Sequence, residues 1–424
     1  MQYKESIFNI SIPYNDCTIT YNTYSGSLII LEKAIKEWVK ENPIDDLVDQ
    51  GILVPNEIDE INRLIIDRKC EIFTTQTDVL HIEISPTLKC QASCWYCFEK
   101  DKTQNTMNDE IVLSTIKYIE KKINESNCSK VSLLFFGGEP FLAYEQMLNI
   151  SNAIKKKCEE REIEFSIKII TNGIAMTIKR IETMLSQFSI EEIQVTLDGL
   201  ENTHNSNKGI NCFSTVINNI QEICDRVKVR VRINVSKTNK GEIKALLKYL
   251  FEEKELAGRI TAYLARVDDA DTTLDCNMKE DVLKQKEFAL LRDEVIEECL
   301  LQYNSYDLNE LLPEVKRHYC GYERVSQIMI GPLGEIYHCQ RDLGAWDKSI
   351  GHITIGEFYN DYSLFMCSEI NEQCMDNCEL LPICYGGCPH DQIKTIDTEC
   401  CLLKKDIVKN DIKKYIYEIE RNVE

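Results

Sequence analysis

The chain has 424 residues, 43% of them hydrophobic and 28% charged, a composition ordinary for a globular protein of two or three domains. A net charge of -21 argues against nucleic acid as a partner, because phosphate binding needs clusters of Lys and Arg, and the acidity reads as a solubility device. No apolar run reaches the roughly 18–20 residues of a membrane span. The first residues, MQYKESIFNISIPYND, lack the basic-then-apolar order of a signal peptide, so the sequence predicts a cytoplasmic protein without membrane contact.

The first 78 residues read as a small α+β module. IFNISI and CTITYN have the alternation of short strands. Residues 27–41 show helical spacing through Leu28, Leu31, Ile35 and Trp38, and 58–67 reads as a second helix. Residues 47–55, with Gly51 and Pro55, read as a turn-rich connector. From Val79 the pattern changes to strand–helix alternation. Strands are predicted at 79–85, 131–136, 165–170, 193–197, 227–235 and 260–265, with helices at 108–125, 144–161, 178–188, 213–225 and 242–255. Six βα repeats imply a parallel sheet, and the two further strands of an eight-fold barrel are not found. The expectation is therefore α/β, a partial (β/α)6 barrel over 79–310. Residues 268–279 read as a loop and 280–303 as a closing helix. A cysteine-rich domain follows over 311–424.

Twenty cysteines are the anomaly. A disulfide scaffold would be short and secreted, whereas clustered cysteines in a long chain of a reducing compartment point to metal or cluster ligation. The first strand is followed by Ser85-Pro86-Thr87-Leu88-Lys89-Cys90, then Cys94 and Cys97, a C-x3-C-x2-C spacing. Three thiolates can hold three irons of a cubic cluster and leave the fourth open. An open iron can chelate the amino and carboxylate groups of S-adenosylmethionine (SAM). One electron then breaks the sulfonium bond and gives a 5′-deoxyadenosyl radical. The loop stands at the C-terminal end of a strand, where barrel enzymes place their chemistry. Zinc is the competing reading, but a structural zinc site takes four ligands, commonly as paired C-x2-C knuckles.

This region, about 79–303, resembles the radical SAM superfamily. Phe136-Gly137-Gly138-Glu139-Pro140 matches its GGEP segment, where glycines let backbone groups approach the SAM amino group. Thr171-Asn172-Gly173, Thr196-Leu197-Asp198-Gly199, Arg232 and Asn234 resemble positions around SAM or substrate, and Tyr96 and Phe98 resemble the aromatic positions beside the adenine. His204-Asn205 departs from the common His-Asp. The resemblance thus implies SAM contacts from Tyr96, Phe98, Gly137, Gly138, Glu139, Pro140, Thr171, Asn172, Thr196, Asp198, Arg232 and Asn234. It also implies a low-potential electron donor such as flavodoxin or ferredoxin.

Residues of about 311–405 are similar to the SPASM extension of that superfamily, which carries two auxiliary 4Fe-4S clusters and brings the expected total to three. Cys320 and Cys339 form one group. Cys374-x3-Cys378-x5-Cys384-x3-Cys388 with Cys400 and Cys401 form the other, where the family spacing of the first pair is two. The family's wiring implies Cys320, Cys339 and Cys388 on the first auxiliary cluster. It implies Cys374, Cys378, Cys384 and either Cys400 or Cys401 on the second. The first cluster's fourth iron is either open to a substrate thiolate or closed by Cys367 or another cysteine. The scattered Cys17, Cys70, Cys128, Cys158, Cys212, Cys224, Cys276 and Cys299 read as small hydrophobes.

The extension resembles that of two enzyme types, maturases of ribosomally made peptides and anaerobic sulfatase maturases that make formylglycine. The latter place an Asp after the cysteine matching Cys339, and this chain has Gln340-Arg341. The N-terminal module resembles a leader-peptide recognition element of winged-helix type, which pairs with a leader as an added strand; the alternative is a plain cap on the barrel. The expectation is a peptide maturase forming a thioether (sactipeptide or ranthipeptide type). Carbon–carbon crosslinking and formylglycine formation are the enzymatic alternatives. A zinc protein that merely holds peptides is the alternative of another class.

Overall fold

The computed structural model describes residues 2–32, 45–99, 104–267, 281–363, 369–388 and 398–423. The chain forms two compact units. The first comprises residues 1–74, 307–325 and 365–424, and the second residues 75–306 and 326–364. The expected N-terminal module and most of the expected cysteine-rich domain thus fall in one unit, whereas residues 326–364 fall with the barrel.

The chain opens with β1 (Tyr3–Glu5), β2 (Asn9–Tyr14), β3 (Cys17–Asn22), β4 (Leu28–Leu31), α1 (Asp45–Asp49), β5 (Leu53–Pro55) and α2 (Glu60–Phe73). β1 pairs with β5, and β2-β3-β4 form an antiparallel sheet. Tyr14 pairs with Cys17 across a two-residue loop in which Asn15 takes φ 49°, a left-handed position that Asn tolerates. The helix expected over 27–41 is not formed at its start. Leu28–Leu31 is a strand paired with Thr18–Tyr21 of β3, because Leu-Ile-Ile-Leu is an apolar, β-branched run that fits a sheet once a partner strand exists. Ile35 and Trp38 lie outside the described residues. The connector expected over 47–55 carries the end of α1 and all of β5. α2 begins at Asp59, whose side chain accepts from the Asn62 N–H at 3.0 Å, and runs beyond its expected end.

The second unit contains the six expected parallel strands, β6 (Val79–Ile84), β7 (Lys130–Phe135), β8 (Glu164–Thr171), β9 (Ile190–Leu197), β10 (Val229–Val235) and β11 (Thr261–Arg266), in the order 11-10-9-8-7-6. Alternation aims them. Leu80, Ile82 and Ile84 of β6 are buried, as are Ile193, Val195 and Leu197 of β9, while the residues between them are more open. The helices are α3 (Asp109–Glu125), α4 (Tyr144–Glu159), α5 (Ile178–Leu185), α6 (Glu201–Lys208), α7 (Phe213–Ile223), α8 (Ile243–Lys248) and α9 (Gln285–Val295). α8 and α9 stop earlier than expected and continue as π-turns, Tyr249–Glu253 and Ile296–Leu300. α6 was not expected from sequence, because ENTHNSNK has no apolar period to announce it. β12 (Ile328–Ile330) adds in parallel to β6, and β13 (Glu335–Tyr337), β14 (Gly351–His352) and β15 (Gly356–Glu357) continue the sheet as antiparallel hairpins.

The first unit is completed by α10 (Leu381–Cys384) and α11 (Thr398–Val423). Ile10, Ile12, Ile19 and Tyr21 of the N-terminal sheet pack with Leu380 and with Val408, Ile412 and Ile416 of α11. A second cluster joins Phe8 and Leu64 to Ile370, Leu381 and Tyr385. Each such apolar side chain contributes about 1.5–3 kcal/mol by leaving water. The N-terminal module and the cysteine-rich segment therefore share their core.

Candidate active site

The cysteine loop leaves the C-terminal end of β6. The Ser85 N–H donates to the Ile330 carbonyl at 2.8 Å, and Leu88 and Met107 N–H groups tie the loop to residues 105 and 86. Cys90, Cys94 and Cys97 are all half-buried. The Asn172 amide lies 3.5 Å from the Cys90 sulfur, and the Cys97 N–H donates to the Cys94 carbonyl at 3.1 Å. Burial pushes the Cys90 thiol up to about 11 and Cys97 to about 12, and each feels the charge of Cys94. Burial also raises Cys94, with Lys208 opposing. The three thiols are thus neighbours on one loop. Among the described residues no three Cys, His, Asp or Glu side chains converge on a single metal-ion position. Three thiols on one loop match three irons of a cubic cluster, one thiolate each, whereas a structural zinc ion takes four ligands.

The GGEP turn is stacked against this loop. Gly137 and Gly138 take φ 93° and 50°. A Cβ at Gly138 would lie 2.6 Å from the Lys89 carbonyl oxygen and 2.8 Å from that of Thr87, so only glycine fits. The Glu139 N–H donates to the Lys89 carbonyl at 2.9 Å, and the Gly138 N–H to Glu99 at 2.8 Å. The Glu139 carboxylate is fully buried. It accepts from Thr171 Oγ1 at 2.7 Å, the Asn172 N–H at 2.8 Å and the Phe141 N–H at 3.1 Å, joining the ends of β7 and β8. Burial raises its pKa against those hydrogen bonds. Pro140 begins a buried 3-10 turn, and Phe98 stacks on Phe136 with ring centres 6.3 Å apart.

The end of β9 supplies the third wall. Asp198 is fully buried, accepts from Tyr96 OH, and sits 3.0 Å from the Lys208 ammonium, which lies 2.9 Å from the same hydroxyl. The other Asp198 oxygen accepts from the Asn234 amide at 3.2 Å, and Arg232 Nε donates to Asn234 at 2.9 Å. Thr196 pairs with Arg232 in the β9–β10 register. The His204 ring accepts from the Asp198 N–H at 3.3 Å, and burial lowers its pKa to about 4, so it is neutral. Asn205 accepts from the Cys212 and Phe213 N–H groups at the start of α7, a capping task that Asn performs as well as Asp. The twelve residues expected around SAM therefore lie along the ends of β6–β10 in one unit. Lys208 is a residue of the site that sequence reading missed. On β6, the Glu83 carboxylate accepts from the Gln327 and Gln340 amides at 2.9 and 2.8 Å and is raised by burial. Periodicity marks Glu83 only as a strand residue and Lys208 not at all.

Among the C-terminal cysteines, Cys374, Cys378, Cys384 and Cys401 are gathered in the first unit. Cys374 is pushed up to about 11 by burial, and feels Cys384, Cys378 and Cys401. Cys378 feels Cys384 and Cys401. The side chains of Cys400 and Cys367, like Cys276, lie outside the described residues. Cys320 and Cys388 belong to the first unit and Cys339 to the second. Cys128, Cys158, Cys212, Cys224 and Cys299 are buried, while Cys17 is half-buried and Cys70 exposed.

A partial (β/α) barrel with a three-cysteine loop at the C-terminal end of its first strand defines the class. The Radical SAM superfamily profile matches residues 84–250. The chain is 22% identical over 425 residues to the radical SAM cyclopropyl synthase TigE of Paramaledivibacter caminithermalis, covering 91% of this chain and 85% of that one. It is 31% identical over 180 residues to a GTP 3′,8-cyclase of Clostridium perfringens, covering 41% and 53%. Among solved structures it resembles anSMEcpe with bound AdoMet and Cp18Cys peptide, with a TM-score of 0.63 at 19% identity over 80% of this chain and 99% of that one. It also resembles Streptococcus suis SuiB bound to precursor peptide SuiA, with a TM-score of 0.55 at 17% identity over 94% and 98%. The chain carries a radical SAM domain and is a radical SAM superfamily enzyme. Among the described residues no helix is long and apolar enough to cross a membrane.

Proposed function

We propose that this enzyme modifies a ribosomally made precursor peptide and forms a thioether crosslink. Cys90, Cys94 and Cys97 hold the radical-generating 4Fe-4S cluster, and the residues of the β6–β10 strand ends hold SAM. When bound, this pair supplies a 5′-deoxyadenosyl radical that abstracts hydrogen from the peptide. Cys374, Cys378, Cys384 and Cys401 hold one auxiliary cluster. Cys320, Cys339 and Cys388 hold the other, with a ligand position left for a substrate thiolate. A flavodoxin or ferredoxin delivers the electron.

The observation that carries the reading is the gathering of four thiols in the unit that also contains the N-terminal sheet. β2 and β4 are that sheet's outer strands, and a leader peptide adds to one of them. SuiB and anSMEcpe, solved with peptides, share the fold. The formylglycine alternative is weakened by Gln340, whose amide is committed to Glu83.

The test uses a Cys-containing peptide chosen from short open reading frames beside the gene. The enzyme should convert that peptide to a product lacking two hydrogens and one free thiol, and leave its Cys→Ser peptide unlinked. Cys339→Ala should keep SAM cleavage and lose crosslinking. A modified peptide with all its thiols free would contradict the thioether.

A further inference from the structure

The end of α6 grips the cysteine loop at four places. The Ser93 N–H donates to the Lys208 carbonyl at 2.8 Å. Trp95 Nε1 donates to Asn207 Oδ1 at 3.0 Å. A Cβ at Gly209 would lie 2.2 Å from Ser93 Oγ, so the helix ends directly on the loop, and its left-handed φ of 66° suits glycine. The fourth contact is a hydrogen bond from a buried ammonium that is also ion-paired. Lys208 Nζ lies 2.9 Å from Tyr96 OH and 3.0 Å from Asp198 Oδ2, with side-chain exposures of 3% for Lys208 and 0% for Asp198.

A buried ammonium is costly unless paired, and among the described residues its carboxylate partner is Asp198. The Lys208–Asp198 pair is neutral as a whole but is a dipole. Its positive end is in direct contact with the loop, 2.9 Å from Tyr96 OH, two residues from Cys94. The C-terminal end of a helix brings negative charge toward the thiols, and a lysine in its last turn offsets it. A bound cluster with three thiolates gains a further negative charge on reduction, and a fixed cation nearby stabilises that state.

We propose that Lys208 is the positioning residue of the cysteine loop, a buried cation that clamps Tyr96 to Asp198 and makes a cluster on Cys90, Cys94 and Cys97 easier to load and to reduce. The proposal rests on the assignment of that triad. It does not rest on the thioether or on a peptide substrate.

The test reconstitutes the full chain anaerobically and reads two quantities: iron at the triad, and the midpoint potential of its SAM-sensitive EPR signal. Three variants separate charge from space. Lys208→Met should lower occupancy severalfold and shift the potential of the remaining cluster to more negative values. Lys208→Arg keeps the charge and should restore loading and potential. Lys208→Gln keeps a hydrogen-bond donor without the charge and should shift the potential as Lys208→Met does. Wild-type occupancy and potential in Lys208→Met would overturn the proposal. If Lys208→Met takes up no cluster, Lys208→Arg decides. Loading at the wild-type potential supports the role of charge, and no loading or a shifted potential overturns it. Absence of any SAM-sensitive signal from the wild type would instead refute the triad.

Discussion

His204 illustrates how burial fixes a single residue's role. It is fully buried, accepts a hydrogen bond from the Asp198 N–H and lies 3.4 Å from the Cys212 sulfur. Its pKa in the fold is about 4 against an ordinary 6.5, and the cause is burial. The unfolded chain takes up the proton first as pH falls. The stability is therefore fully present above about pH 6.5 and is lost as pH falls toward about 4, a loss of about 3 kcal/mol for this group. Chemical denaturation of the wild type and His204→Gln should show that slope in the former and a flatter one in the latter. Equal slopes would mean that the ring takes up its proton at the same pH in the folded and unfolded chain. Motif spacing makes such residues visible without giving their roles. Cys90, Cys94 and Cys97 stand out because thiolate spacing on a strand-end loop has few other uses. Glu139 was legible as a turn residue, yet its carboxylate hydrogen bonds all go to Phe141, Thr171 and Asn172, which depends on two strands meeting. Lys208 carried no signal, because a lysine in a polar segment looks solvated until a buried carboxylate is folded beside it.

At the scale of elements, α2 shows what sequence periodicity leaves out. Its Arg68 is buried and paired with Glu323, which also accepts from the Tyr319 N–H, next to Cys320. Arg68 also lies over the Tyr385 ring, and Tyr385 OH donates to the Lys316 carbonyl at 2.9 Å. The pair thus holds the Cys320 segment and the turn after Cys384 on one helix. Removing one partner of a buried pair leaves the other uncompensated and costs about 3–5 kcal/mol. Arg68→Met should lower the unfolding free energy by that amount and reduce iron uptake by the cysteine-rich segment. Unchanged iron content at reduced stability would confine the pair to folding. The barrel strands were legible within a few residues because β6–β10 combine long apolar alternation with regular helices. β4 was misread because Leu28 and Leu31 suit a helix face and a strand equally, and only the pairing with β3 decides.

At the scale of the molecule, the parallel sheet was foreseen and its extension was not. β12–β15 are two or three residues each, too short for alternation to show, and exist because β6 offers an edge. Likewise the partnership of residues 1–74 with residues 307–325 and 365–424 is a long-range packing fact that no local pattern encodes. It has a practical consequence. Cutting away the first 74 residues strips Ile10, Ile12, Ile19 and Tyr21 from Val408, Ile412 and Ile416. Such a truncation would expose a core, so leader recognition is better tested by single substitutions on β2 or β4.

The central claim is that the loop of Cys90, Cys94 and Cys97 is the site of radical generation. Anaerobically reconstituted wild-type protein, given SAM and dithionite, should release 5′-deoxyadenosine. The Cys90→Ala, Cys94→Ala, Cys97→Ala triple variant should release none, while keeping about two-thirds of the iron, held by the cysteines of the C-terminal segment. A triple variant that still makes 5′-deoxyadenosine would contradict the account.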